Sequence, residues 1–298
     1  MTKKEMGEIA RRMLDVYSGV LFHNQAFQSG NADQIVYDFD CPEYEELRTK
    51  YDLLPIAGAG SDFERAKRLL HHFAPRLTHS SWYDNHIPCN ALRLLEYSLD
   101  NPEHGINCLN KSKILAECCL AVGIYARRVR ILPYSPYDFD NHVITEIYDK
   151  SLKKWIVLDL TTDGYFIDEA KMPLSLLEMR DRFANRAFIT FVRSTDALKD
   201  LFTLRKKHLD TNVYICKNLF CFQVEQCSTF GEKGVFLHFV PVNYSVKSTR
   251  LANLKYRIDH LPPAQESLGK QLAENLSELE RSPAPQSTDI RSMEEHPV

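Results

Sequence analysis

The sequence has 298 residues, of which 44% are hydrophobic and 26% are charged, as in an ordinary globular protein with a sizeable core. Its formal net charge of −3 gives no basic excess, so we predict no nucleic-acid partner. No run reaches the roughly 18 apolar residues of a membrane span, and the charged start lacks a signal-peptide pattern, so we predict a cytoplasmic protein that does not contact a membrane.

The first part of the chain, residues 1–60, is predicted to be a helical extension. Its start has the apolar spacing of an amphipathic helix, and a short helix is predicted at 42–51. Ser61 and Glu64 then form a capping-box pattern, which predicts a helix that stops before Pro75.

Residues 61–210 are predicted to be the central part of the protein. Asn90 can cap a second helix, because its side chain can accept a hydrogen bond from the first turn. A third helix is predicted from about Cys108 to Val122, and Gly123 is a suitable residue to end it.

The pattern then changes to short segments rich in β-branched and aromatic residues, at 125–132, 142–148 and 155–160. Such segments favour strands, and the polar residues 149–153 predict a hairpin between the last two. A helix that begins at a cysteine therefore precedes an antiparallel sheet, and the predicted fold class is α+β.

The second half is predicted to contain a helix at 173–185, and then a β-rich extension at 211–262 that packs on the central part. The strands predicted in this extension are 213–216, 219–225 and 234–240. From 263 to 298 the composition is polar, which predicts a polar helix followed by a disordered tail.

The eight cysteines are predicted to be reduced, since the chain is long for a disulfide scaffold and has no recognisable export signal. Cys216, Cys221 and Cys227, with His238, lack the paired spacing of a zinc site. We therefore predict neither a metal nor a cofactor. The basic residues at 127–130 are interpreted as a solvated face.

Cys108 follows a glycine-containing loop at a predicted helix N-terminus. The free N–H groups of the first helical turn favour a thiolate and can hold the oxyanion of a tetrahedral intermediate. The alternative is a structural cysteine, and by itself the position does not decide between the two.

His142 and Asp159 are candidate partners of this cysteine, because each lies on one strand of the predicted hairpin. An imidazole can accept the thiol proton and later protonate a leaving group. A carboxylate on an apolar strand needs a partner, and a histidine would satisfy it. Hairpin closure at 150–152 would bring the two nearly opposite each other. The alternatives are a surface histidine and a carboxylate that caps a turn.

Four sequence blocks follow one another around these three residues. They are Gly105-Ile-Asn-Cys108, Leu120-Ala-Val-Gly-Ile-Tyr-Ala-Arg-Arg-Val129, Asn141-His-Val-Ile-Thr-Glu-Ile-Tyr148 and Trp155-Ile-Val-Leu-Asp159. In this order the blocks resemble the core of the transglutaminase-like superfamily over roughly residues 60–190. Two positions depart from the common pattern of that superfamily, since Tyr125 replaces a proline and Ser112 replaces an alanine.

The resemblance implies a papain-like core with a catalytic triad of Cys108, His142 and Asp159. It also implies attack on a peptide or carboxamide carbonyl through a thioester, which water would hydrolyse and an amine would convert to an amide. The triad does not distinguish these outcomes, and our leading hypothesis is hydrolysis of a peptide or protein substrate. The alternatives are an amide-forming transglutaminase or acyltransferase that uses an amine acceptor, and an inactive peptide-binding scaffold.

A segment before the second helix, residues 82–88, looks like an element of bacterial members of the superfamily. It suggests further residues for substrate contact or oxyanion support. The candidates are Trp82, Asn85, His86 and, next to the cysteine, Asn107. The alternative is a packed loop without a role in catalysis. The oligomeric state is not predicted.

Overall fold

The computed structural model describes residues 3–138, 140–193, 201–262 and 266–297. A five-stranded antiparallel sheet lies between two groups of helices, so the predicted α+β class is confirmed. The helices are α1 Lys3–Phe22, α2 Glu43–Lys50, α3 Leu53–Ala57, α4 Asp62–Phe73, α5 Ala91–Ser98, α6 Cys108–Ala121, α7 Leu176–Ala184, α8 Leu201–Asn218, α9 Val246–Asp259, α10 Glu266–Arg281 and α11 Arg291–Glu294.

The strands form one large sheet and two small ones. The large sheet has the order β4-β3-β2-β7-β9, while β5 pairs with β6 and β1 with β8. The strands are β1 Val36–Tyr37, β2 Ala126–Leu132, β3 His142–Asp149, β4 Lys154–Leu158, β5 Gly164–Ile167, β6 Thr190–Arg193, β7 Cys221–Glu225, β8 Cys227–Ser228 and β9 Phe236–Phe239.

The central sheet separates two apolar clusters, because successive side chains of a strand point to opposite faces. On one face Ile147 and Ile156 pack with residues of α4, α5 and α6. On the other face Val129 and Ile144 pack with residues of α1, α7 and α8. Burial on both faces explains why β4 reads as a continuous apolar run over residues 155–158 instead of an alternating one.

Capping residues account for the positions of the helices that precede the sheet. Ser61 and Glu64 form the predicted capping box of α4, with both reciprocal hydrogen bonds present. Asn90 accepts a hydrogen bond from the backbone N–H of Arg93 at the start of α5, as predicted. The hairpin of β3 and β4 is also confirmed, since Asp149 pairs with Lys154.

The strand predicted at residues 213–216 is wrong, because these residues form the last turns of α8. Ile215 and Cys216 are buried against the sheet. A run of four apolar and β-branched residues does not distinguish a strand from the buried face of a helix. Residues 246–259, for which no element was predicted, form α9.

The disordered tail predicted after the polar helix is also wrong for the segment that ends the described chain. Thr288 and Met293 are buried, and the N–H of Thr288 donates to the carbonyl of His238 at 2.8 Å. The carbonyl of Met293 accepts a hydrogen bond from the Arg127 guanidinium at 2.7 Å. Polar composition does not reveal that such a segment supplies backbone partners to buried groups.

The basic residues of β2 are not a solvated face. Arg127 and Arg128 are almost completely buried, and each makes an ion pair, with Glu146 at 2.7 Å and with Glu225 at 2.9 Å. The guanidinium of Arg127 also lies 3.8 Å from the ring centroid of Trp155. Buried cations are tolerated here because each has an acidic partner on a neighbouring strand.

The predicted division into four parts stays a prediction. Strands β7 and β9, from the segment 211–262, pair in the same sheet as β2, β3 and β4. Residues 263–265, where the fourth part is predicted to begin, lie outside the described residues. In the described parts of the chain, no helix combines the length and apolarity that crossing a membrane requires.

Candidate active site

Cys108 is the first residue of α6 and is partly exposed at a cavity that His142 also lines. Asn107 has an extended backbone and caps the helix, since its side-chain oxygen accepts from the N–H of Asn110 at 3.3 Å. In the first helical turn the backbone N–H groups have no carbonyl of their own helix to bind. The sulfur therefore lies at the N-terminus of α6, where the free backbone N–H groups form the positive end of the helix dipole.

The loop before Cys108 is held by a neighbouring segment. The N–H of Ile106 donates to the carbonyl of Thr78 at 3.1 Å, and the N–H of Ser80 donates to the carbonyl of Ile106 at 3.0 Å. A Cβ at Gly105 would lie 3.0 Å from the Cβ of Ser80, which is tighter than ordinary packing. Glycine therefore permits the close approach of the two segments that fixes the start of α6.

His142 and Asp159 form a buried pair, with 2.9 Å between Nε2 and Oδ2. The carboxylate also accepts from the N–H of Thr161 at 2.9 Å and from the hydroxyl of Thr162 at 2.7 Å. If the register of β3 and β4 is continued, Asp159 falls opposite Ile144 instead of His142. The pair is thus diagonal on one face of the hairpin, with Asp159 two residues from the position directly opposite His142, whereas the sequence predicted a nearly opposite pair.

The electrostatics of the pair favour a charged imidazole. Burial opposes the charge, but the Asp159 carboxylate and hydrogen bonds to Asp159 and Cys108 outweigh it and raise the pKa of His142 to about 10. Burial alone would raise the pKa of the Asp159 carboxyl. The charge of His142 and the hydrogen bonds from His142 and the two threonines outweigh burial and lower this pKa below its ordinary value. Because Nε2 is held by Asp159, the second ring nitrogen, Nδ1, is the one left for the thiol.

Tyr214 from α8 covers the imidazole. Its ring lies 5.3 Å from the His142 ring in an edge-on arrangement. Its hydroxyl oxygen lies 3.3 Å from both the Asp140 carboxylate and the Asn141 carbonyl, so its single proton is shared between these two acceptors. Burial is the main reason that the pKa of this phenol is raised, so the hydroxyl stays a donor to the loop that precedes β3.

Lys111 places a buried cation one helical turn after Cys108. Its Nζ donates to the carbonyl of Leu77 at 2.6 Å. Burial lowers the pKa of Lys111 to about 8, although the nearby Asp159 and Cys108 oppose this change. The ammonium therefore adds positive potential near the sulfur at neutral pH.

The four further candidates from the sequence divide into two pairs. Asn85 and Asn107 lie together, with the Asn107 amide donating to Asn85 Oδ1 at 3.1 Å. Asn85 also accepts from Asn110 at 2.8 Å, and its backbone is left-handed with a φ of 60°. Trp82 is 94% exposed, and His86 is hydrogen-bonded to Asp84.

Neither Trp82 nor His86 lines the cavity at Cys108, so the structure does not bring these two to the site. Sequence reasoning missed other residues that do line it, namely His79, Ser81, Arg130 and Tyr214. The position of Lys111 near Cys108 could have been predicted from the sequence, because residues three positions apart on a helix lie on the same side. Tyr214 and Arg130 carry no such local signal.

Comparisons with known proteins add little to this geometry. No family model matches the sequence, and no curated protein matches it. A solved structure from Cytophaga hutchinsonii, described as "a Putative Cysteine Protease", is similar with 17% sequence identity and a TM-score of 0.32. The similarity covers 40% of this chain and 37% of that chain, well under two thirds of the other protein's length. The functional argument therefore rests on the site itself.

Proposed function

We propose that this protein is a cysteine-dependent acyl-transfer enzyme with a papain-like or transglutaminase-like core and hydrolysis as its reaction. Cys108 is the nucleophile, His142 the general base and acid, and Asp159 the residue that orients the imidazole. The observation that carries the proposal is the buried His142–Asp159 pair beside a partly exposed cysteine at a helix N-terminus. Chemically, this set of groups is what thiol activation requires.

Since the pKa of His142 is raised to about 10, the thiol proton of Cys108 rests on Nδ1 of His142 at neutral pH, and the two residues form a thiolate–imidazolium pair. The thiolate attacks the carbonyl carbon of a peptide or carboxamide, and the carbonyl electrons move to the oxygen. When the tetrahedral intermediate collapses, the C–N bond breaks and the imidazolium gives its proton to the leaving amine. Water, deprotonated by the same imidazole, then attacks the thioester carbonyl, and collapse of this second intermediate breaks the C–S bond, releases the carboxylic acid and restores the thiolate–imidazolium pair.

Stabilisation of the oxyanion falls to the backbone N–H groups at the start of α6. These groups have no acceptor within the helix and lie next to the sulfur. We assign a positioning role to Asn85 and Asn107, because their amides are engaged with each other and with the cap of α6. Loss of either amide would loosen the turn that holds Cys108.

The burial of the other thiols supports the choice of Cys108. Burial raises the pKa of Cys89 to about 11 and that of Cys216 and Cys221 to about 12. Thiols in such surroundings remain protonated at neutral pH and react slowly with electrophiles. None of these three lies beside the His142–Asp159 pair.

Alkylation by iodoacetamide tests the nucleophile without knowledge of the substrate. We expect Cys108 to react at least about 10-fold faster than Cys89 at neutral pH, since the thiolate is the reactive form. The rate at Cys108 should fall in His142→Ala and stay unchanged in His71→Ala, which removes a second histidine that is paired with an aspartate, at 2.7 Å from Asp163. Peptide mass spectrometry reads both sites in one sample.

Equal reactivity of Cys108 and Cys89, insensitive to His142→Ala, would favour an inactive peptide-binding scaffold. Hydrolysis is then separated from amide transfer by incubating an acyl donor with and without a primary amine. We expect only the free acid. An amide product formed in preference to the acid would overturn the hydrolytic assignment and leave acyl transfer to an amine as the function.

A further inference from the structure

A second cavity, of about 540 Å³, adjoins the one at Cys108 and has basic walls. Arg130 and Asn141 line both cavities, so the two lie side by side near the end of β2. Arg250 and Arg257 of α9 reach the second cavity from the opposite side. None of these residues has a role in the proposed reaction.

The floor of this cavity is a row of side chains across the central sheet. Arg130 on β2 is directly opposite Gln223 on β7, which is opposite His238 on β9. Residues paired in this way project from the same face. Gln223 and His238 are in contact through their side chains at 3.4 Å, and burial and then Arg250 lower the pKa of His238. The imidazole is therefore neutral at neutral pH and can donate a hydrogen bond.

Two of the guanidinium groups at this cavity, those of Arg130 and Arg250, are not neutralised by a direct ion pair within the described residues. In the part of the chain that the structure describes, Arg130 and Arg250 make no ion pair, and Nε of Arg130 is buried without a hydrogen-bond partner. The guanidinium of Arg130 stacks 4.8 Å from the Phe236 ring centroid, which fixes its plane. The carboxylate of Asp138, which also lines the cavity, is held by Lys217 at 2.9 Å.

We propose that this cavity is a subsite for an anionic group, a carboxylate or a phosphate, on the substrate whose carbonyl Cys108 attacks. The inference rests on the proposed function, because it places the subsite on the acyl substrate. Arginine guanidinium groups bind both oxyanions through paired N–H donors. The substrate is thus an acidic or phosphorylated peptide, with the anion a short distance along the chain from the scissile amide.

Alanine-based peptidyl acyloxymethyl ketones, in which one alanine at a time is replaced by Asp, Asn or phosphoserine, test the subsite. The ketone alkylates Cys108, so the labelling rate reports binding of the peptide without a known substrate. At one position we expect the Asp or phosphoserine probe to label Cys108 at least about 10-fold faster than the Asn probe, as a charge-assisted hydrogen bond implies. The faster of the two anionic probes identifies the natural group.

Variants of the subsite should abolish this preference. Arg250 is exposed on α9, so its replacement does not put folding at risk. In Arg250→Gln the labelling rate with the anionic probe, divided by the rate with the Asn probe, should fall towards one. Arg130→Gln should do the same. Arg93→Gln, which removes a charge of the same type from α5 outside both cavities, should keep the wild-type ratio.

Failure of the subsite and failure of the enzyme give different results. If Cys108 is labelled in a His142-dependent manner but Asp, phosphoserine and Asn probes react equally at every position, the subsite is refuted and the proposed function stands. If labelling of Cys108 does not depend on His142, the proposed function itself fails. A preference that survives both Arg250→Gln and Arg130→Gln places the anion elsewhere and also refutes the subsite.

Discussion

Replacement of Asp159 by asparagine perturbs the proposed site at one atom. In the native structure Oδ1 accepts from Thr161 N–H, while Oδ2 accepts from the Thr162 hydroxyl and faces Nε2 of His142. Asparagine keeps the first bond only if its amide nitrogen takes the place of Oδ2. That nitrogen donates, so His142 must present an unprotonated Nε2 and carry its proton on Nδ1. The imidazole then has no free nitrogen with which to accept the thiol proton.

The size of the effect follows from the electrostatics of the pair. The rise in the pKa of His142 from 6.5 to about 10 corresponds to about 5 kcal/mol of preference for the imidazolium. Most of this preference depends on the Asp159 carboxylate, and 1.4 kcal/mol changes a rate by a factor of ten. We expect Asp159→Asn to slow alkylation of Cys108 and acyl transfer by about 1000-fold or more.

Iodoacetamide labelling of Cys108, read by mass spectrometry, measures the loss directly. Asp163→Asn is the matched control, because Asp163 lies in the turn that follows and pairs with His71, away from the cavity. It should keep more than half of the wild-type rate. A loss of less than about 10-fold in Asp159→Asn, with the circular dichroism spectrum unchanged, would refute the role of this carboxylate.

Further predictions concern neighbouring residues and pH. Cys108→Ser should abolish acyl transfer yet change the midpoint of thermal unfolding by less than about 2 °C, as its side chain is partly exposed. Tyr214→Phe, which keeps the ring on His142, should label within about 3-fold of wild type, whereas Tyr214→Ala should lose about 10-fold. Met293→Ala should lower the free energy of unfolding by about 2–4 kcal/mol in urea titrations, since this side chain is buried in the apolar cluster. The raised pKa of His142 means that its pairing with Asp159 stabilises the fold fully below pH 6.5 and is lost as the pH rises through about 10, so the stability difference between wild type and Asp159→Asn should shrink over that range.

Local patterns allowed the elements around Cys108 to be predicted from the sequence. The capping residues Ser61 and Asn90 begin their helices where expected, because a cap depends only on residues within one turn. The hairpin that brings His142 near Asp159 was also predictable, since a short polar turn fixes which strands pair. The exact register was not, and the two residues are diagonal.

Long-range partners could not be predicted. Tyr214 reaches His142 only because α8 packs on the sheet, and residues 213–216 read equally well as a strand. The buried state of Arg127 depends on Glu146 across the sheet and on a carbonyl of the C-terminal segment. A charged residue in a sequence normally indicates an exposed position. Only the contacts in the folded protein show that Arg127 is buried.

The position of β2 in the middle of the sheet has a consequence for biosynthesis. One neighbour, β3, leaves the ribosome directly after β2, but the other neighbour, β7, follows only after β4, β5, α7, β6 and α8. Until β7 is synthesised, the backbone groups along one edge of β2 have no partner strand, and Arg128 lacks the carboxylate of Glu225. A nascent chain thus already carries Cys108, His142 and Asp159 while one side of its sheet is still open, so the site acquires a rigid support only late in translation.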